Sequence, residues 1–304
     1  MIIDSHSHWL PEEIINNAHF FSKAWGDIES QLKMMEEAGI DKAVLSYPTS
    51  DAHLKLGSIS LVTRIYNDNV AKIIKRFPDK FIGAAILPVD NSHDMVEEIK
   101  RVTEEMGFKA ISLATSYNGK YLDEPMFLPV FEEAQKRKIP IFVHSQIVNP
   151  IGVERVNDPL LTPVIEYIFD TAICIGKLMM AGMLKDLDLP LIFGYFGGAM
   201  PFLEHRFDAT YEMLRKMNFV KDLGGIPSQF LKKVYVDTGG DRNMLNLKIS
   251  VGFFEAKHIV WGSDWPAKKD VAAGIQAVKD LDISEEDKKA ILGGNLEQIL
   301  ARSF

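Results

Sequence analysis

Eight short apolar runs recur along the chain, most of them followed by a segment in which apolar and polar residues alternate at helical period. The runs are residues 1–8, 42–47, 81–88, 108–115, 139–145, 189–196, 232–239 and 258–266. They are rich in Val, Ile and Phe and nearly continuous in apolar character, as parallel strands covered on both faces require. Between them, 25–39 places apolar residues at helical spacing and ends on Gly39, a C-cap candidate. The stretch 61–81 behaves likewise, with Pro78 closing it, and 123–138 starts on Asp123 and ends in a basic turn suited to the helix dipole. "FDTAICIGKLMMAGML" (169–184) is the most apolar stretch, but Asp170 and Lys177 interrupt it, so it predicts a buried or interface helix rather than a membrane span. Eight strand–helix units of about 38 residues predict an α/β chain folded as one (β/α)8 TIM barrel domain over 1–304. A doubly wound open sheet, the rival, would carry a glycine-rich phosphate loop after its first strand, and none follows His8.

Composition narrows the partners. A net charge of −8 argues against nucleic acid or an acidic membrane surface. The one cysteine, Cys174, cannot build a disulfide framework and reads as a small core residue. No basic-then-apolar leader begins the sequence, and no run of 18 apolar residues occurs in it, which predicts a cytoplasmic protein.

Polar residues at the C-terminal ends of barrel strands face the active mouth. In "IIDSHSHW" (2–9), period-two alternation turns His6 and His8 to one side together with Asp4. His144 ends the fifth run, Asp237 lies in the seventh and Asp264 ends the eighth. Three imidazoles and a carboxylate converging at one mouth are ligands for Zn²⁺ or a similar divalent ion. His19, His53, His93, His205 and His258 lie away from these strand ends and read as surface or core histidines.

"DSHSHWLP", "IPIFVHS", "GGAMPFLEHR" and "VWGSDWP" resemble the amidohydrolase superfamily, and within it the decarboxylase-like branch typified by α-amino-β-carboxymuconate-ε-semialdehyde decarboxylase. The resemblance runs over essentially the whole chain. It implies that His6, His8, His144 and Asp264 hold one divalent metal, Zn²⁺ first and Mn²⁺ as the alternative. Asp4 would orient a histidine or a loop amide. It implies an enzyme acting on a small aromatic or unsaturated carboxylic acid, first by non-oxidative decarboxylation, alternatively by hydrolysis or hydration with metal-bound hydroxide. Barrels of this branch commonly dimerise, which leaves a homodimer open.

The chain departs from the branch at strand six. The usual H-x-G-G-x-x-P-F reads "YFGGAMPF" here, with Tyr195 in the histidine's place. A phenol with a pKa near 10 exchanges protons poorly at neutral pH unless shifted. Either the metal lowers it, or Tyr195 stays neutral and donates a hydrogen bond to an oxyanion while Asp264 serves as base. A third reading has Tyr195 merely packing, in a barrel that binds a metal or ligand without turnover. Arg242, after strand seven, is expected to grip the substrate carboxylate, with Arg155, Lys268 and Arg206 as lesser candidates. Trp9, Trp25 and Trp265 lie near active-face loops and could stack a flat substrate.

Overall fold

The computed structural model describes residues 1–17, 21–156 and 158–302. Eight strands form one parallel sheet in sequence order: β1 (Ile3–His8), β2 (Lys42–Ser46), β3 (Phe81–Ala85), β4 (Ala110–Ala114), β5 (Ile141–His144), β6 (Leu191–Phe193), β7 (Tyr235–Asp237) and β8 (Ile259–Val260). Backbone bonds between β1 and the segment after β8 close it: Ser5 N to Trp261 O (2.9 Å), Asp264 N to His6 O (2.7 Å) and His8 N to Trp265 O (2.7 Å). A helix follows each strand: α1 (Ile28–Ala38), α2 (Ile59–Arg76), α3 (Ser92–Glu104), α4 (Leu128–Arg137), α5 (Tyr167–Met180), α6 (Met200–Lys216), α7 (Met244–Phe254) and α8 (Val271–Lys279). A last helix, α9 (Asn295–Ala301), ends the described chain. This is the expected (β/α)8 barrel. Among the described residues no helix is long and apolar enough to cross a membrane.

Local signals set most helix ends. Asp27 caps α1 by accepting from Ser30 N (2.9 Å), and Gly39 ends it at φ +71°. Ser58 caps α2, which stops at Arg76 just before Pro78. The expected start at Asp123 is corrected: α4 begins at Leu128 after a turn at Pro125–Phe127, and Asp123 pairs instead with Lys177 on α5 at 3.1 Å. Cys174 is a buried free thiol on α5, as expected.

Two apolar layers organise the core. The larger one lies between the strands and their helices. The smaller takes Ile3, Val44, Ala84, Ala110, Phe142, Ile192 and Val260 from seven strands, and Leu296 and Ile299 of α9 pack onto it. These residues fill the barrel's lower interior, and α9 plugs it. Strict alternation would put Ile3 and the two histidines on opposite faces of β1. The register of β1 against β2 shifts between Asp4 and Ser7, and this irregularity lets Ile3 enter the core while His6 and His8 reach the mouth. Leu296 is fully buried in the plug. Leu296→Ala is expected to cost about 2–5 kcal/mol in urea unfolding, by lost transfer energy and the cavity left behind. A loss below about 1 kcal/mol would mean the plug collapses or contributes little.

Candidate metal centre

His6, His8 and His144 stand at the strand ends as a nearly equilateral triangle. Ring centroids are 5.0 Å apart for His6–His8, 5.1 Å for His6–His144 and 5.2 Å for His8–His144. All three are buried, and each offers a ring nitrogen within 4.8 Å of the others. Every Nδ1 is already engaged. His6 Nδ1–H donates to Asp237 Oδ2 (2.8 Å), and His144 Nδ1–H donates to Ser145 O (2.8 Å). His8 Nδ1 lies 3.3 Å from Ser46 O and 3.2 Å from Ser46 Oγ. This leaves the Nε2 atoms for the common space, and His6 Nε2 is buried without a hydrogen-bond partner. Asp264 Oδ1 completes the set, 3.8 Å from His6 Nε2 and 3.5 Å from His8 Nε2. An orphaned buried nitrogen among rings fixed through Nδ1, with one carboxylate beside them, matches the donor chemistry of a divalent cation site.

The surrounding charges are arranged by hydrogen bonding. Burial opposes a charge on His6, but Asp237 and Asp264 outweigh it and raise its pKa to about 9. Burial, with the neighbouring histidines, pushes His8 and His144 down. Burial alone would raise Asp264, but the contact with His8 and the charges of His6, His8 and Lys268 hold it at about 2. Asp4 is fully buried and accepts from Ser263 N (2.8 Å), Ser263 Oγ (2.5 Å) and His6 N (3.1 Å). It therefore ties β1 to the loop carrying Asp264, and burial lifts its own pKa to about 6.

Tyr195 reaches the same centre. Its ring meets His6 and His144 edge-on at 5.4 and 5.9 Å, and its hydroxyl donates to Asp264 Oδ2 at 3.2 Å. Burial and the adjacent Asp264 hold the phenol well above its ordinary pKa, so it stays a donor. Tyr195, Phe196 and Asp264 have φ of +52°, +55° and +60°. Such left-handed backbone at non-glycine residues carries strain of order 1–3 kcal/mol each and is held only by its surroundings. Asp237 Oδ1 accepts from both Tyr195 N (3.2 Å) and Gly239 N (2.8 Å), which helps fix the turn.

The expected substrate anchors are placed less uniformly. Arg242 does not reach the centre: it pairs with Asp270, and both side chains are exposed. Arg155 and Arg206 are exposed as well. Lys268 does reach it, with Nζ 3.7 Å from Asp264 Oδ2. Trp9 is held in its loop by donating Nε1–H to Gly26 O (3.0 Å), whereas Trp25 stacks on His8 at 5.5 Å. Trp265 lies under Lys269 Nζ at 4.0 Å. Ser46 and Asp237 are contributors that strand-end reasoning left without a role; a serine ending β2 carries no signal, but an aspartate inside an apolar strand does.

Among the described residues no other histidine joins this cluster, and His93 and His205 are exposed. His258 Nδ1 bonds Phe254 O at 3.0 Å, before β8 and at the opposite end of the barrel. His19 lies outside the described residues. His53 is buried against Tyr47 and Phe21, and burial lowers its pKa to about 4. Its folded pKa lies below the unfolded value near 6.5, so the stability tied to neutral His53 is present above 6.5 and lost as pH falls toward 4. Urea unfolding at pH 7, 6 and 5 should show native stability falling more steeply than that of His53→Gln, by up to about one proton in slope. Parallel slopes would contradict it.

Several proteins similar to this chain are decarboxylases by name. The 2-amino-3-carboxymuconate-6-semialdehyde decarboxylase of Dictyostelium discoideum is 27% identical over 241 residues, 77% of this chain. That match spans 65% of the Dictyostelium protein's own length. The γ-resorcylate decarboxylase of Polaromonas sp. (strain JS666) is 25% identical over 315 residues, covering 96% of each chain. Among solved structures, 5-carboxyvanillate decarboxylase from Novosphingobium aromaticivorans, complexed with manganese and 4-hydroxy-3-methoxy-5-nitrobenzoic acid, superposes with a TM-score of 0.87. It is 22% identical and the match covers 99% of this chain and 96% of that one. A sequence model of the amidohydrolase family matches residues 3–301, nearly the whole barrel including all three histidines and Asp264, and the chain belongs to that family.

Proposed function

We propose that this chain is a metal-dependent enzyme that removes CO₂, without oxidation, from a small aromatic or unsaturated carboxylic acid. The carrying observation is the convergence of His6, His8, His144 and Asp264 with every Nδ1 already bonded and His6 Nε2 left open. The named activities of the similar proteins supply the reaction class. The four side chains would hold the ion. Their donor set accepts Zn²⁺ or Mn²⁺, and the similar carboxyvanillate enzyme was crystallised with manganese. A divalent ion bound there supplies Lewis acidity, which draws negative charge from a substrate oxygen and stabilises the electron pair left when CO₂ departs.

The chain's own residues handle the proton. Cleavage of the carbon–carboxyl bond leaves an electron pair on the ring or alkene carbon, which must take up one proton. Asp264 is the acid/base group within the centre: Oδ1 faces the histidines and Oδ2 faces Tyr195 and Lys268. Held ionised, it can accept a proton from an incoming hydroxyl group and return it to the vacated carbon, and the oxygen left negative regains a proton from solvent as product leaves. Tyr195 orients that carboxylate by donating to Oδ2 and stays protonated itself. Trp25, stacked on His8, and Trp265 give the mouth flat apolar walls.

The test is product analysis with metal-loaded protein on 2,6-dihydroxybenzoate, 5-carboxyvanillate and related hydroxybenzoates. Release of one CO₂ per decarboxylated product, dependent on added metal, is expected with at least one of them. Solvent oxygen incorporated into product without CO₂ would replace this reading by hydrolysis or hydration.

A further inference from the structure

The geometry points to a second compartment of the site: a cavity of about 250 Å³ beside Tyr195 receives the part of the substrate remote from its reacting carboxyl group. That part is a flat apolar substituent ending in a neutral hydrogen-bond acceptor. The inference rests on the reading of the metal centre as a decarboxylation site.

Tyr195 is the shared wall. Its hydroxyl touches Asp264 in the centre, and its ring lines the cavity. Lys268 stands at the junction, 3.7 Å from Asp264 Oδ2 and 5.5 Å from the Tyr195 ring centroid. An ammonium has three donors; Gly239 O takes one and Asp264 Oδ2 lies 3.7 Å away as an ion-pair partner, and the side chain lines the cavity while 43% exposed. Ile168 of α5, Ile249 of α7 and Phe202 of α6 form the apolar sides, with Phe202 open at the rim. A dry cavity of about 150 Å³ is enough to take up a benzene ring, so this one holds a ring and a short tail.

Charge sets the tail. Asp241 also lines the cavity, with its oxygens accepting from Asn243 N and Asn246 Nδ2 at 2.7 Å each. An anionic tail near Lys268 would meet this carboxylate, whereas a carbonyl or ether takes the ammonium's donor without that repulsion. The backbone is shaped to seat both junction residues. Gly239 and Gly240 have φ of +50° and +68°; a Cβ on Gly239 would lie 2.4 Å from Tyr195 Cδ1, and one on Gly240 would lie 2.6 Å from Lys268 Cδ.

Ligand-observed NMR with 4-hydroxyacetophenone, which carries the substituent without a carboxyl group, tests this on the metal-loaded full chain. Millimolar binding is expected. Affinity should fall about tenfold or more in Ile249→Trp, which fills the cavity, and about threefold or more in Lys268→Met, which removes the donor from a half-exposed position. Melting curves establish that each variant is folded, and Lys268→Met decides alone if the tryptophan does not fit. No binding to the native chain, or unchanged affinity in a folded variant, overturns the subsite. Salicylate, which carries the carboxyl head alone, separates the two readings: failure of metal-dependent salicylate binding counts against the decarboxylation site, while the ketone result decides the cavity.

Discussion

His144→Ala protein is expected to purify with its affinity for Zn²⁺ or Mn²⁺ reduced about 100-fold or more, and with no turnover. Losing a partner one shell out from a metal typically costs 10–100-fold in affinity, so losing a ligand costs at least the upper end of that range. The fold should survive, because His144 ends β5 above the apolar layer that fills the lower barrel. His258→Ala is the control. That ring lies at the opposite end, bonded to Phe254 O and packed edge-on against Tyr235. It should lose some stability and keep its metal. Equal metal content in the two variants, measured by elemental analysis after dialysis against free ion, would mean that the strand-end histidines do not form the site.

Tyr195→Phe should keep fold and metal while lowering kcat by about 10²–10³, the usual cost of removing one hydrogen-bond donor that acts in the transition state. The hydroxyl's partner is Asp264 Oδ2 at 3.2 Å, so the loss falls on the orientation of the group that moves the proton. Asp264→Asn should abolish activity outright, since the amide can neither take up nor return a proton. Tyr195→His restores the branch's usual residue. A partial recovery relative to Phe, with a new limb in the pH–rate profile near 6–7, is the expected signature. Unchanged turnover in Tyr195→Phe would make the tyrosine a packing residue.

The barrel was legible because each strand is a continuous apolar run and the helix stops, Gly39 as a C-cap and Pro78 just past the Phe77 C-cap, are local signals. Strand limits were less so. The run at 258–266 supplies only Ile259–Val260 to the ladder, because the residues from Trp261 onward bond to β1 and turn at Asp264. The metal-ligand candidates were legible because polar residues at the ends of apolar strands stand out. The anchors were not. Arg242 has the right sequence distance from β7, but its direction is set by Asp270, 28 residues on. Trp9 and Trp25 look alike in sequence, and only the bond from Trp9 to Gly26 O shows which ring is left to face His8. The bulge that brings His6 and His8 to the mouth depends on pairing with β2 and the segment after β8 and leaves no mark in the local pattern.

Anomalous scattering from crystals grown with Mn²⁺, paired with elemental analysis of the same protein, tests the central claim most directly. One equivalent of metal per chain is expected, as a single peak bonded by Nε2 of His6, His8 and His144 and by Asp264. Protein that stays metal-free in the presence of both Zn²⁺ and Mn²⁺, or a peak held by other residues, would contradict it.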